Sequence, residues 1–365
     1  MALRRRVAPE SLGWPGESAD VVGDALEYGD LQHAVRVLPK LWQLDSVSGR
    51  AAVRRMSFVG ALAPALHEAL VMLPDAETTG TGRQRVSAAD VELLELHTDL
   101  YGRLDARHGG GRFRSVFAAF LDMHATPLLH GAFSARRGRL LYGSVADAVL
   151  ALASMAYDDQ LPGLAQRYDL QAIRLAQAVG DRGRLARGYI HQARLAAARG
   201  EHGDVLTHAR SAVFAAVTAP ALVRSYAAIT EARAWALNGN PEQTLAAVGR
   251  SRDAFERASA GTSPRWLLWL DRPELEGQAA WALTMAGLVV PGTRALHAAL
   301  DMPAERTRDS VELLITGVEL ARLRGDDAER AALMKRAVEA SRHLKSRRLA
   351  DRLARAGEGH PLHDF

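Results

Sequence analysis

Cysteine is absent from all 365 residues. That excludes a disulfide scaffold, thiolate zinc sites, iron–sulfur clusters and cysteine nucleophiles. Aromatic residues make up only 6%, so the core has to be assembled from Ala, Leu and Val, side chains that favour helices and close packing. Lysine is nearly missing: of 46 basic residues only Lys40, Lys335 and Lys345 are lysine. The arginine bias reads first as GC-rich coding and second as a preference for bidentate anion contacts. An excess of one charge is lacking too. The 46 basic residues face 42 acidic ones, and the net of +4 does not demand a nucleic-acid ligand. No long apolar run is present: the most apolar stretch, Met56 to Leu73, carries Pro64, His67 and Glu68 and reads as a buried helix, not as a span of ~20 apolar residues. The opening Met-Ala-Leu-Arg-Arg-Arg leads into Pro9, Gly13 and Pro15 without the apolar segment of a secretion signal. A cytoplasmic location without membrane contact is therefore expected. What is present, 48% apolar and 24% charged residues, is globular composition, long enough for one large domain or two ordinary ones.

Strand-type alternation is hard to find, whereas Ala and Leu recur at spacings of three and four almost throughout. Ser87-Ala-Ala-Asp90 opens a periodic run ending near Ala106, as a capping box would. His108-Gly-Gly-Gly111 breaks the chain, and Ser134 is placed to cap a further helix running to about Asp159. The polar segment from Pro74 to Arg85, rich in Gly and Thr, reads as a linker. The predicted division is a divergent helical segment with its linker over 1–80, a repeat region over 81–356, and a mobile tail over 357–365.

The second half repeats itself. Short loops at Asp159, Gly200, Gly239, Gly287 and Gly325 follow one another at spacings of 41, 39, 48 and 38 residues. Seven residues before each loop stand Leu152, Ala193, Ala232, Ala280 and Val318; nine after it stand Tyr168, Ala209, Val248, Leu296 and Met334. These are the offsets at which the two helices of a tetratricopeptide (TPR) unit approach through small side chains. A fainter copy follows Gly29-Asp30 with Ala34, Leu38 and Leu41. The fold class this predicts is all-α, a TPR-like alpha-solenoid wound as a right-handed superhelix of helical hairpins, with an extended concave face.

An ordered set of segments carries a family resemblance across nearly the whole chain. It begins with Gly13-Trp14-Pro15, Ala25-Leu-Glu-Tyr-Gly-Asp30 and Leu41-Trp42-Gln43. It continues with Leu104-Asp105, Gly109-Gly-Gly111, Met155-Ala-Tyr-Asp158, Gly163-Leu-Ala-Gln-Arg-Tyr168 and Gln171-Ala-Ile-Arg-Leu-Ala-Gln177, and closes with Trp269-Leu-Asp271, Glu274-Leu275 and Gly277-Gln278. In this order they resemble actinobacterial Cro/CI-type (XRE) transcriptional regulators with a TPR-like C-terminal half. In that family a helix-turn-helix precedes the Gly-Trp-Pro region, whereas here twelve residues do. The resemblance thus implies the sensor half of a regulator, with DNA bound only weakly or through a domain missing from this chain.

Catalytic motifs do not assemble. His108-Gly-Gly-Gly111 would suit an esterase oxyanion loop, but no G-x-S-x-G elbow accompanies it: Gly249-Arg-Ser-Arg-Asp253 lacks the second glycine. Gly80-Thr-Gly82 lacks the third glycine of a dinucleotide loop, and there is no Walker A sequence. His67-Glu68 has no histidine four residues on, and His202 and His208 point apart on a helix. Neither catalytic residues, metal ligands nor cofactors are expected, and an enzyme with a diverged site is the remotest reading.

Repeat geometry instead names a binding face. Counting back from the loops puts Arg187, Arg194, Tyr226, Arg233, Glu274, Trp281, Glu312, Glu319 and Arg322 on the concave side. The strip passes from arginine-rich to acidic with two aromatic anchors between. It suits a protein or peptide partner carrying both charges, a second copy of the chain (a homodimer) included; the alternative is that these charges pair with one another between repeats, Arg233 with Glu274 for instance. Peptide-pheromone receptors with similar solenoids grip peptide backbones through groove asparagines, and here Asn238 and Asn240 flank a loop, which favours a protein partner over a free peptide. The rival reading is DNA binding through Arg347, Arg348, Arg352 and Arg355 on the basic stretch from Arg342 to Arg355, although Leu344, Leu349 and Leu353 give that stretch an apolar face.

Overall fold

Ala and Leu at helical spacing do what their propensities dictate. The computed structural model describes residues 23–46, 53–59, 70–75, 77–259, 261–301 and 306–360, and among them the chain forms fourteen helices and one pair of two-residue strands. The polypeptide divides into two compact units, residues 1–102 with 112–184 and residues 103–111 with 185–365.

The first unit contains α1 (Leu31–Ser46), β1 (Gly80–Thr81), most of α2 (Ala88–His108), α3 (Arg114–Leu129), β2 (Ala132–Phe133), α4 (Ala135–Asp158) and α5 (Pro162–Ala178). Each start follows from a local signal. At α1 Asp30 accepts from the His33 amide, and Ala34, Leu38 and Leu41 are wholly buried where α1 packs on α3 and α5. At α2 Ser87 and Asp90 exchange amide hydrogen bonds at 2.7 and 3.2 Å, a capping box in which aspartate takes the glutamate position. Ser134 accepts from the Arg137 amide and starts α4. α4 is almost entirely buried, from Leu141 to Ala156. Among the described residues it alone is long and apolar enough to cross a membrane, and here it is the core helix of its unit. β1 lies within the stretch read as linker and pairs antiparallel with β2, Gly80 with Phe133 and Thr81 with Ala132. The interior of the apolar stretch beginning at Met56 lies outside the described residues; its flanks are not helical, and Val71 and Leu73 are exposed.

The second unit is a repeat-like run of helical hairpins: α6 (Arg182–Ala198), α7 (His202–Ala216), α8 (Ala221–Leu237), α9 (Pro241–Glu256), α10 (Arg272–Met285), α11 (Val289–Ala298), α12 (Thr307–Arg324), α13 (Asp327–Ser341) and a last helix, α14 (Arg347–Glu358). The four loops that sequence spacing placed here are hairpin turns. Gly200, Gly239, Gly287 and Gly325 stand there with φ between +68° and +72°, the left-handed conformation that ends a helix and that glycine adopts without strain. The loop at Asp159, between α4 and α5, makes the same turn with Gln160 at φ +55°. Leu152, Ala193, Ala232 and Ala280 are wholly buried and Val318 nearly so, as are Tyr168, Ala209 and Val248 on the return helices. Leu296 and Met334 are only half-buried. Each hairpin from α8 onward packs on the next through its first helix, α8 on α10 and α10 on α12, and α14 closes the run against α12 and α13. α14 extends to Glu358, into the predicted tail; residues 361–365 lie outside the described ones.

Candidate partner-binding face

Each first helix of a hairpin carries its predicted residues seven apart: Arg187 and Arg194 on α6, Tyr226 and Arg233 on α8, Glu274 and Trp281 on α10, Glu312 and Glu319 on α12. Two helical turns separate the members of each pair, so both point the same way. The arginines lie against aromatic rings. The Arg187 guanidinium sits 4.9 Å from the Trp266 ring and that of Arg233 sits 4.9 Å from Trp281, while Tyr226 meets Trp269 edge-on at 5.3 Å. Guanidinium–indole contacts of this kind are worth about 0.5–2 kcal/mol, more when shielded from water.

Charge is organised around them. Arg233 reaches Gln278 at 3.4 Å, and Gln278 donates to Glu274 at 2.8 Å. Burial, with the Arg352 and Arg194 guanidiniums nearby, lowers the pKa of Arg233 to about 9. Burial together with Arg187 and Arg194 holds His191 well below the usual imidazole range and so neutral. Glu274 is ion-paired with Arg306, which also reaches Asp271 at 3.1 Å and Asp309 at 2.9 Å. Burial and then Asp309 nevertheless push the Glu274 carboxyl upward, and Arg306 pulls it back. Glu312 is the opposite case: burial alone would raise it, yet Arg348 and Arg352 outweigh burial and hold it at about 2. The structure therefore gathers Arg194, Tyr226, Arg233, Trp281 and Glu312 into one electrostatic neighbourhood, with Glu274 at its side. Glu319 and Arg322 stand apart, paired with each other on α12 at 2.6 Å.

The four arginines of α14 do not share a face. Arg348 and Arg352 are buried beside Leu349, Leu353 and Ala356 and both pair with Glu312, Arg352 at 2.7 Å. Arg347 and Arg355 are exposed, and Arg355 pairs with Asp351 of its own helix at 3.0 Å. The apolar side of α14 turns its neighbouring arginines inward with it.

Sequence reasoning did not place Trp266, Trp269, Gln278 or Arg306 at this face, although Trp269 and Gln278 stand in the segments that carry the resemblance. The signal was in the spacing: the unit from Gly239 to Gly287, at 48 residues the longest, holds an extended connection between α9 and α10, and both tryptophans lie on it around a short 3-10 turn, Arg265–Leu267.

A second set of polar side chains, in the first unit, reads main chain. On α5, Gln166 accepts from the Val59 amide at 2.9 Å and donates to the Val59 carbonyl at 2.7 Å. Arg167 donates to Ser57 O at 2.9 Å, Gln171 to Ala25 O at 3.0 Å, Arg174 to Gly29 O at 2.7 Å, and Gln177 to Leu73 O. All five side chains are buried, and burial brings the Arg167 pKa down to about 10. Asparagines are the wrong residues to search for here; glutamines do the backbone-gripping, and what they grip is the chain's own N-terminal part. No protein-family model, curated protein or solved structure matches this chain.

Proposed function

We propose that this chain is a non-catalytic interaction module, the sensor half of a transcriptional regulator of the Cro/CI type that it resembles, working inside the cell. In this reading the hairpins wind as a TPR-like right-handed solenoid, and the shared face of α6, α8, α10 and α12 receives a protein partner. The observation that carries it is the row of arginine–indole and phenol–indole contacts, Arg187 with Trp266, Tyr226 with Trp269 and Arg233 with Trp281. Arginine, tyrosine and tryptophan are the residue types that dominate binding hot spots; successive hairpins carry them, with Tyr226 and Trp281 buried and Arg187, Arg194 and Arg233 half-buried beside them. The carboxylates of this face are paired within the chain, Glu274 with Arg306, Glu312 with Arg348 and Arg352 and Glu319 with Arg322. In this reading a partner therefore engages the arginine-rich end and supplies the carboxylates itself. DNA binding through α14 draws less support, because two of its four cations are committed to Glu312.

The test is the double reversal Arg194→Glu with Arg233→Glu, compared with the native chain for co-purifying partners from the cells that make it and for melting temperature. Partner capture lost at an unchanged melting temperature supports the face. Capture retained, or lost only together with the fold, overturns it.

A further inference from the structure

Among the exposed apolar side chains, five gather on two adjoining helices of the first unit. Leu93, Leu96 and Leu100 on α2 are 40%, 48% and 43% exposed, and Val116 and Met123 on α3 are 54% and 70% exposed. The helices are joined beneath them by stacked rings, His97 on Phe120 at 4.0 Å and Tyr101 on Phe117 at 4.5 Å, so the five residues and half-buried Phe120 form one surface. Leu245 and Leu323, by contrast, are single exposed side chains on their helices, which is ordinary for a folded protein. A contiguous apolar surface is not, and marks an interface.

The pattern along α2 says what covers it. Leu93, Leu96 and Leu100 follow the three–four spacing of a helix–helix seam, whose matching surface is another helix with the same spacing. Charge along the helix changes sign: Asp90, Glu92, Glu95 and Asp99 come first, Arg103 and Arg107 after. Glu92 and Arg103 are exposed at the two ends of the leucine row. A parallel copy would set like charge against like. An antiparallel copy, with a two-fold axis near Leu96 and His97, sets Leu93 against the partner's Leu100 and Glu92 near the partner's Arg103, so both the apolar row and the rim charges are complementary to themselves. Self-complementarity about a two-fold is what a homodimer interface requires.

We propose that the α2–α3 surface is a homodimer interface, two copies crossing antiparallel through the Leu93–Leu96–Leu100 row. It is a different surface from the partner-binding face of α6 to α12, and each can fail alone.

Because the chain has no cysteine, one introduced thiol reports directly. Leu96→Cys, at the two-fold, should form a disulfide-linked dimer under mild oxidation, seen on a non-reducing gel. Leu245→Cys on α9, 48% exposed in the native chain, should form little. Equal cross-linking of the two variants overturns the proposal. In light scattering after size exclusion the native chain should be a dimer. Leu96→Glu with Leu100→Glu should weaken it by more than about tenfold, roughly 1.4 kcal/mol, with unchanged helical circular dichroism. Glu92→Arg should weaken it, and Glu92→Arg with Arg103→Glu should restore it. A native chain that is monomeric, or a dimer indifferent to the paired glutamates, ends the idea.

Discussion

The two units put buried polar side chains to different uses. In the first, the chain includes irregular stretches around Gly29, Val59 and Leu73, whose amides and carbonyls have no helix to satisfy them. An unpaired main-chain group away from water costs about as much as a lost hydrogen bond, and α5 supplies the missing partners through Gln166, Arg167, Gln171, Arg174 and Gln177. In the second unit most of the described main chain is helical and satisfies itself, and its arginines meet carboxylates and indole rings instead. Polar burial in the first unit satisfies main chain, whereas in the second it pairs side chains with one another.

That contrast can be broken, most severely at Arg114. In the first unit this residue of α3 pairs with Asp45 of α1, whose side chain is fully buried and also accepts from the Tyr168 hydroxyl at 3.0 Å. Arg114→Ala leaves a buried carboxylate without its cation and should cost about 3–5 kcal/mol. Denaturant titration checks this, and hydrogen exchange should show α1 opening first.

A loss of about 2 kcal/mol is expected for Gln166→Ala, because both main-chain groups of Val59 lose their partner at once. The loss should appear as a lower unfolding midpoint with helical content retained, since the segment it releases is not helical.

In the second unit the corresponding effect is one of pH. Glu312 titrates at about 2 in the fold against about 4.5 ordinarily. A carboxyl whose native pKa is depressed contributes stability that is fully present above the unfolded value and is lost as pH falls toward the native one. Melting temperature should therefore drop between pH 4.5 and 2, and Glu312→Gln should flatten that part of the curve while costing on the order of 2 kcal/mol at neutral pH.

Two turn glycines sharpen the comparison further. Gly180 and Gly200 have nearly the same φ, +70° and +72°, so alanine at either incurs about 1–2 kcal/mol of left-handed strain. A Cβ at Gly180 would also meet Pro74 Cγ at 2.8 Å, whereas at Gly200 nothing lies within 4 Å. Gly180→Ala should be the more destabilising in a side-by-side melt, because the first unit has chain folded over its turn. The smallest effect is expected at Arg322, exposed and paired only within α12: Arg322→Ala should change stability by less than about 0.5 kcal/mol.

Much of the local structure was legible in advance, and particular residues show why. Ser87 with Asp90, Ser134, and the loops at Asp159, Gly200, Gly239, Gly287 and Gly325 are signals read within one helical turn of the chain, and the structure puts helix ends at each. The buried positions seven residues before each loop were equally readable, since helical period alone decides which side of a helix meets its neighbour. The candidate face was half-legible on the same ground: the spacing of seven put Tyr226 with Arg233 and Glu274 with Trp281, but not the Arg233 guanidinium over the Trp281 ring.

What only the tertiary structure decided concerns partners far apart in sequence. Gln166 and Val59 are 107 residues apart, Tyr168 and Asp45 123, and nothing in either neighbourhood announces the other. Helical period states the direction of a side chain, and composition states that it is buried. Which group it meets depends on where intervening loops bring the chain back, and loop closure is nearly indifferent to length once a loop is long. The sequence by itself therefore determined the helices, their ends and their inward sides. The inward turn of Arg348 and Arg352 toward Glu312, the two tryptophans beside the arginine face, and the glutamines closed on the N-terminal backbone were settled by packing, because each satisfies a buried charge, ring or amide that exists only once the helices are together.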